Sequence, residues 1–155
     1  MRAFLALGSN LGDRVGHLRA ARDSIPDLVA ESRVYETEPV GGPDQQGPYL
    51  NMVVELDTTL TPRDLLEVCR TVEAAGGRER TVHWGPRTID VDIIWIDGVR
   101  VDEPDLRIPH PFMNERPFVL APLEELAPDI VTPHWRHRLG EGGVACLGVL
   151  DDVTA

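Results

Sequence analysis

The sequence contains no lysine; all 15 of its Lys/Arg positions are arginine. That excludes a Schiff-base enzyme, a lysine nucleophile and a Walker-type phosphate loop, each of which needs a lysine ammonium. Cysteine is nearly as scarce. Cys69 and Cys146 are too few for a disulfide framework or a zinc site, and Cys69 lies in a helical pattern where it reads as a small core residue. No apolar run reaches membrane-spanning length. Asn10-Leu-Gly-Asp-Arg14 interrupts the N-terminal apolar segment, so no signal peptide is expected and the chain reads as cytoplasmic. Cationic charge is outweighed as well: a net charge of −11 argues against a nucleic-acid or anionic-membrane surface.

What is present is an ordinary globular composition, 42% hydrophobic and 26% charged over 155 residues. A chain of that size forms one domain and buries about two-thirds of its unfolded surface.

The most informative stretch is Trp84-Gly-Pro-Arg-Thr-Ile-Asp-Val-Asp-Ile-Ile-Trp95. Ile89, Val91, Ile93 and Trp95 alternate with Thr88, Asp90 and Asp92, the period of a β-strand. Its polar side carries two carboxylates about 6–7 Å apart, which repel by roughly 2.5 kcal/mol at an effective dielectric of about 20. Either both stand in water on a solvated edge, the common fate of acidic residues, or a cation compensates them. Arg87 is one candidate; a divalent metal shared with phosphate oxygens is the other. Trp-Gly-Pro-Arg leading straight into the strand favours metal–phosphate chemistry, because a guanidinium matches phosphate in geometry and charge.

Taken in order, Ala3–Leu7 reads as a short buried strand ended by a Gly8-Ser-Asn10 turn, followed by a helix capped by Asp13 and stopped by Pro26. Ser32–Glu36 is a second strand. The loop 37–48 is rich in Gly, Pro and Gln and serves as a lid or a plain connector. Tyr49–Asp57 alternates cleanly, with Leu50, Met52, Val54 and Leu56 on the apolar side. Tyr49 and Asn51 share the other, as an aromatic ring beside an amide that suits a flat heterocycle, or as a surface pair. Thr61-Pro-Arg-Asp64 opens a second helix that Gly76-Gly77 ends. The loop 78–84 brings Arg78, Arg80 and Trp84 ahead of Arg87, as a polyphosphate clamp or a solvated loop. Asp97-Gly98 is a hairpin signal leading into Val99–Val101. Prolines flank His110, and Asn114 can cap a short helix carrying Arg116 and Phe118, limited by Pro122.

This order predicts an α+β fold: a ferredoxin-like split βαβ core with an added hairpin and C-terminal helix, its antiparallel sheet having helices on one face. Tyr49/Asn51 and Asp90/Asp92 then share the other face.

Leu7-Gly-Ser-Asn-Leu-Gly-Asp13, Tyr49-Leu-Asn51, Gly77-Arg-Glu-Arg80, Trp84 through Asp92, Ile108-Pro-His-Pro111 and Glu115-Arg-Pro-Phe-Val-Leu120 resemble the 6-hydroxymethyl-7,8-dihydropterin pyrophosphokinase family. The resemblance runs from about residue 5 to 129. It implies transfer of pyrophosphate from ATP to the pterin hydroxymethyl, giving AMP, in folate biosynthesis. It implies catalytic roles for Arg78, Arg80, Arg87, Asp90 and Asp92, with both aspartates holding two Mg²⁺ ions. Tyr49 and Phe118 are expected to sandwich the pterin, with Asn51 and backbone groups near Thr37 and Val40 reading its edge. Glu73, Trp84, Arg87, Ile93, His110 and Arg116 are expected to contact ATP. The expected partners are these two small molecules, with no nucleic acid or membrane, and the chain is expected to act as a monomer. Two rivals rank below: a small-molecule sensor, which needs neither carboxylate pair nor arginine loop, and a DxD-type sugar-nucleotide transferase, which needs a larger nucleotide domain.

Overall fold

Residues 1–37, 48–76, 88–140 and 143–154 are described by the computed structural model. The strand β1 (Arg2–Ser9) is apolar on both faces, and such a strand is stable only inside a sheet. It pairs antiparallel with β4 (Tyr49–Asp57) on one side and β5 (Asp90–Ile96) on the other. Beyond β4 lie β2 (Leu28–Glu31) and β3 (Val34–Thr37), and β8 (Val144–Gly148) closes the sheet against β3. The path β5-β1-β4-β3-β8, with β2 also on β4, contains the split βαβ order as expected, all antiparallel.

The helices α1 (Arg14–Ser24) and α2 (Pro62–Ala75) form where the caps predict. Asp13 accepts from Gly16 N at 3.0 Å, and Thr61 accepts from Asp64 N at 3.1 Å with Pro62 at the first helical position. Val15, Leu18 and Ala21 of α1 and Leu65, Cys69 and Val72 of α2 bury against Leu5, Leu7, Met52, Val54 and Leu56. Each fully buried aliphatic side chain there is worth about 1.5–3 kcal/mol, which fixes the register of β1 and β4. Among the described residues no helix is long and apolar enough to cross a membrane.

The opposite face is not bare. Phe4, Val53 and Ile94 pack against Val119, Leu120 and Leu123 of α3 (Pro117–Leu126), with Trp135 of α4 (Trp135–Leu139) beside them. The expectation of helices on one face therefore holds for α1 and α2 and fails for the C-terminal addition. Pro122 does not limit the helix either: a 3-10 turn at Met113–Glu115 comes first, and α3 starts at Pro117 and runs through Pro122. Pro122 lies in the middle of α3, and burial of Ala121, Pro122 and Leu123 offsets the lost hydrogen bond.

Three further expectations change. Gly8 and Ser9 belong to β1 rather than to a turn, because β4 pairs with both and β5 also pairs with Gly8. The Asp97-Gly98 turn forms, with Gly98 at φ +71°, but Val101 does not return to β5. The added hairpin is instead β6 (Val101–Glu103) with β7 (Leu106–Ile108). Third, the alternation of β5 breaks: Phe4 pairs with Trp95 and Leu5 with Ile93, leaving Ile94 extra. That bulge sends Trp95 to the α3 side while Val91, Ile93 and Ile96 stay with α1 and α2.

Candidate active site

One row of side-chain positions crosses the sheet where β1 ends. Gly8 pairs with Asp90 of β5 on one side and with Asn51 of β4 on the other, and Asn51 pairs onward with Tyr35 of β3. The next row holds Asp92, Ala6 and Val53. Asp90, Asp92 and Asn51 thus share the α3 face, as the alternation predicts. Two strand spacings, about 9–10 Å, separate Asp90 from Asn51, and the only residue between them is a glycine. A Cβ built on Gly8 would stand 3.1 Å from Asn51 Oδ1 and 3.5 Å from Tyr49 Cδ1. The missing methyl therefore leaves a floor between the amide and the carboxylates, with Tyr49 over its edge.

The amide is held in one orientation. Asn51 is 7% exposed, and its Nδ2 donates to Thr37 Oγ1 at 2.8 Å. With that donor committed, Oδ1 and the second N–H face the α3 side with no partner among the described residues. Beyond it, the Tyr35 hydroxyl donates to Glu125 Oε2 on α3, while Glu125 Oε1 accepts from Arg33 N and Nε at 3.2 and 3.3 Å. Burial and that carboxylate push the Tyr35 phenol well above its ordinary range. It stays a neutral donor and anchors α3 over the sheet.

The carboxylate end is positioned from behind. Glu73, 6% exposed on the last turns of α2, accepts from Val91 N at 3.1 Å, and Val91 lies between Asp90 and Asp92. A Cβ on Gly76 would meet Ile89 Cγ2 at 2.4 Å, so only glycine lets the end of α2 approach the start of β5 this closely. Asp92 is exposed and Asp90 half-buried. Among the described residues no group of three metal-type side chains gathers. Two carboxylates in register are a donor set that suits a hard ion taking its remaining ligands from phosphate oxygens and water, the usual arrangement for Mg²⁺. The Ile93 side chain is buried in the core on the opposite face, which leaves its backbone as the part available to a nucleotide.

His110 reaches the same end through β5. Its backbone N donates to the carbonyl of Ile94, the bulge residue, at 2.9 Å. Its Nδ1 accepts from Phe112 N at 3.2 Å, which puts the proton of the neutral ring on Nε2 and makes that atom a donor. Burial lowers the imidazole pKa from its usual 6.5; the Asp92 charge opposes this and Arg116 reinforces it. Arg116 stacks between two rings, 5.3 Å from Phe112 and 5.7 Å from Phe118. Phe118, the second residue of α3, packs against the core on that face. The turn carrying these residues is tied to the C-terminal segment, where Thr132 Oγ1 donates to Asn114 Oδ1 at 2.6 Å and Arg138 Nη2 to Asn114 O.

Of the residues expected at the site, Thr37, Tyr49, Asn51, Asp90, Asp92, Glu73, His110, Arg116 and Phe118 take the positions above. Val40, Arg78, Arg80, Trp84 and Arg87 lie outside the described residues. Sequence reasoning missed Gly8 as the centre of the row. The available signal was a glycine closing an apolar strand directly before Ser-Asn.

Residues 4–128 match the family model described as 7,8-dihydro-6-hydroxymethylpterin-pyrophosphokinase. The 2-amino-4-hydroxy-6-hydroxymethyldihydropteridine pyrophosphokinase of Methylorubrum extorquens is 47% identical over 135 residues, 84% of this chain and 85% of that one. Its counterpart in Bacillus subtilis is 44% identical over 133 residues, 83% and 79% of the two chains. A crystal structure of a Plasmodium falciparum HPPK-DHPS variant shares the fold at TM-score 0.61 and 13% identity. That match covers 90% of this chain and 44% of the Plasmodium one. Row, amide and carboxylate pair all fall inside the matched segment, and the chain belongs to the 7,8-dihydro-6-hydroxymethylpterin-pyrophosphokinase family.

Proposed function

We propose that this protein transfers the pyrophosphoryl group of ATP to 6-hydroxymethyl-7,8-dihydropterin, yielding AMP and the pterin diphosphate for folate biosynthesis. The observation that carries the reading is the row Asp90–Gly8–Asn51, which sets a heterocycle reader and an anion pair on the two strands that flank β1, with the glycine floor between them. The pterin edge meets the Asn51 amide and Thr37, with backbone near Val40, while its ring lies between Tyr49 and Phe118. This aims the hydroxymethyl oxygen along the row toward Asp90. That oxygen attacks the β-phosphorus of ATP and gives up its proton to solvent, while the bond from the β-phosphorus to the α,β-bridging oxygen breaks and AMP leaves with that oxygen.

Phosphoryl transfer of this kind depends on positioning and charge neutralisation more than on covalent chemistry. Asp90 and Asp92 are the residues to hold Mg²⁺, two ions being expected from the family. Bound there, the metal supplies charge neutralisation on the transferred group. Neutral His110 offers its Nε2–H to a phosphate oxygen without an added charge, and Arg116, stacked on Phe112 and Phe118, offers a guanidinium whose direction is fixed. Arg78, Arg80 and Arg87 act on the polyphosphate, with Trp84 and the backbone of Ile93 at the nucleotide. Glu73 acts from behind β5 by fixing Val91. The chain is proposed to work as a cytoplasmic monomer.

The test is to incubate the protein with ATP, Mg²⁺ and the hydroxymethyl-dihydropterin and to identify the nucleotide product. AMP in step with pterin diphosphate is expected; ADP, or no turnover by folded protein, overturns the proposal.

A further inference from the structure

Arg14 is the first residue of α1, and its backbone is set on both sides. Gly12 before it has φ +70°, and Asp13 caps the helix through Gly16 N. From this point its Nη1 donates to Glu36 Oε2 at 3.0 Å and to the carbonyl of Pro48 at 2.9 Å. Those partners are the residues immediately before Thr37 and Tyr49, in β3 and at the threshold of β4. The β3–β4 ladder ends there, with Glu36 opposite Leu50 and Thr37 opposite Tyr49. One guanidinium nitrogen therefore ties together, from the helix side of the sheet, the two chain segments that present Thr37, Tyr49 and Asn51 on its other side. The Thr37–Asn51 hydrogen bond that orients the amide spans these two segments. The side-chain bonds of Arg14 engage none of Asp90, Asp92, His110 or Arg116.

We infer that Arg14 is a positioning residue for the pterin half of the site: it holds the ends of β3 and β4 in the spacing that Thr37, Tyr49 and Asn51 need, and leaves the nucleotide half alone. This rests on the pterin reading proposed above. A charge-assisted bond to Glu36 combined with a second acceptor is stronger than a neutral pair, so its loss is felt where the ladder has no further rungs. Lysine can place one ammonium near the same two oxygens but without the planar fork.

The experiment compares Arg14→Gln and Arg14→Lys with the parent in steady-state kinetics, varying pterin at saturating ATP and ATP at saturating pterin, with melting curves for each protein. Arg14→Gln is expected to raise the pterin KM about tenfold, the scale of one lost charge-assisted bond. The ATP KM is expected to stay within about twofold and kcat to fall by less than about threefold, because the interaction lost is uniform binding. Arg14→Lys should recover most of the pterin affinity. A purely structural role predicts otherwise: both KM values and kcat deteriorate in parallel with the melting temperature, and that outcome overturns the inference. So does an unchanged pterin KM in Arg14→Gln. Should the parent itself neither bind pterin nor form AMP, the underlying functional reading falls too, which separates the two failures.

Discussion

Asn51→Ala perturbs the centre of the recognition row with the least disturbance elsewhere. The amide is 7% exposed and lies between Gly8 and Tyr35 in register, with Nδ2 committed to Thr37 Oγ1 at 2.8 Å. Truncation has two consequences. Without ligand, the Thr37 hydroxyl loses its donor; an unmet buried polar group costs about 1–3 kcal/mol. For a domain of this size that lowers the melting temperature by about 2–4 °C per kcal/mol. With ligand, the pterin edge loses its partner at a buried amide, a similar cost that appears as a weaker Kd by a factor of about 5–150. The assay is calorimetric titration with the pterin and, separately, with ATP. Pterin affinity falls by that factor while ATP affinity holds, because Asn51 stands two strands from Asp90. Equal pterin affinity in mutant and parent would refute the assignment of Asn51 as reader. A parallel loss of ATP affinity would show that the row does not divide into two halves.

Two more predictions concern the scaffold. Arg2 donates from Nε to Asp97 Oδ2 at 2.9 Å and from Nη2 to Asp129 Oδ2 at 2.7 Å, and these bonds hold both carboxyls below their ordinary 3.8. Both aspartates then bind fewer protons folded than unfolded, so the stabilisation is complete above about pH 4 and is lost as pH falls through the folded values. Arg2→Gln should therefore melt earlier than the parent at pH 7 and converge on it in acid; a gap that persists to about pH 2 would contradict the linkage. The thiols differ in the same predictable way: Cys69 is 1% exposed and burial pushes its pKa up, whereas Cys146 is exposed. Native protein should release one equivalent of chromophore from a disulfide reagent, at Cys146; two equal rates would contradict the packing of α2.

What could be read from the sequence was what is local. The Thr61 and Asp13 caps act within one turn of helix, and the alternation of Tyr49–Asp57 and of Asp90–Ile93 depends only on burying one side, so these elements and the shared face of Asn51, Asp90 and Asp92 were legible. What was not legible depends on partners far along the chain. Gly8 looks like turn punctuation until β4 and β5 pair on both sides of it. The switch of Trp95 to the α3 side follows from a bulge against β1, which no periodicity in β5 announces. The Tyr35–Glu125 bond spans 90 residues, Arg14 reaches Pro48 over 34, and β8 adds a strand from beyond the matched segment. In each case the sequence shows an ordinary polar residue or a short apolar run, and only the ladder decides what it touches.

The role proposed for Asp90 and Asp92 is to hold a shared metal that neutralises charge on the transferred group. It is tested most directly by turnover of Asp90→Asn and Asp92→Asn across a Mg²⁺ titration. Each substitution keeps size and shape and removes one negative charge. With pterin binding retained as the check on the fold, turnover should be nearly abolished in both variants at Mg²⁺ concentrations that saturate the parent. Near-parental turnover in both, over the same range, would contradict the account and return the pair to a solvated strand edge.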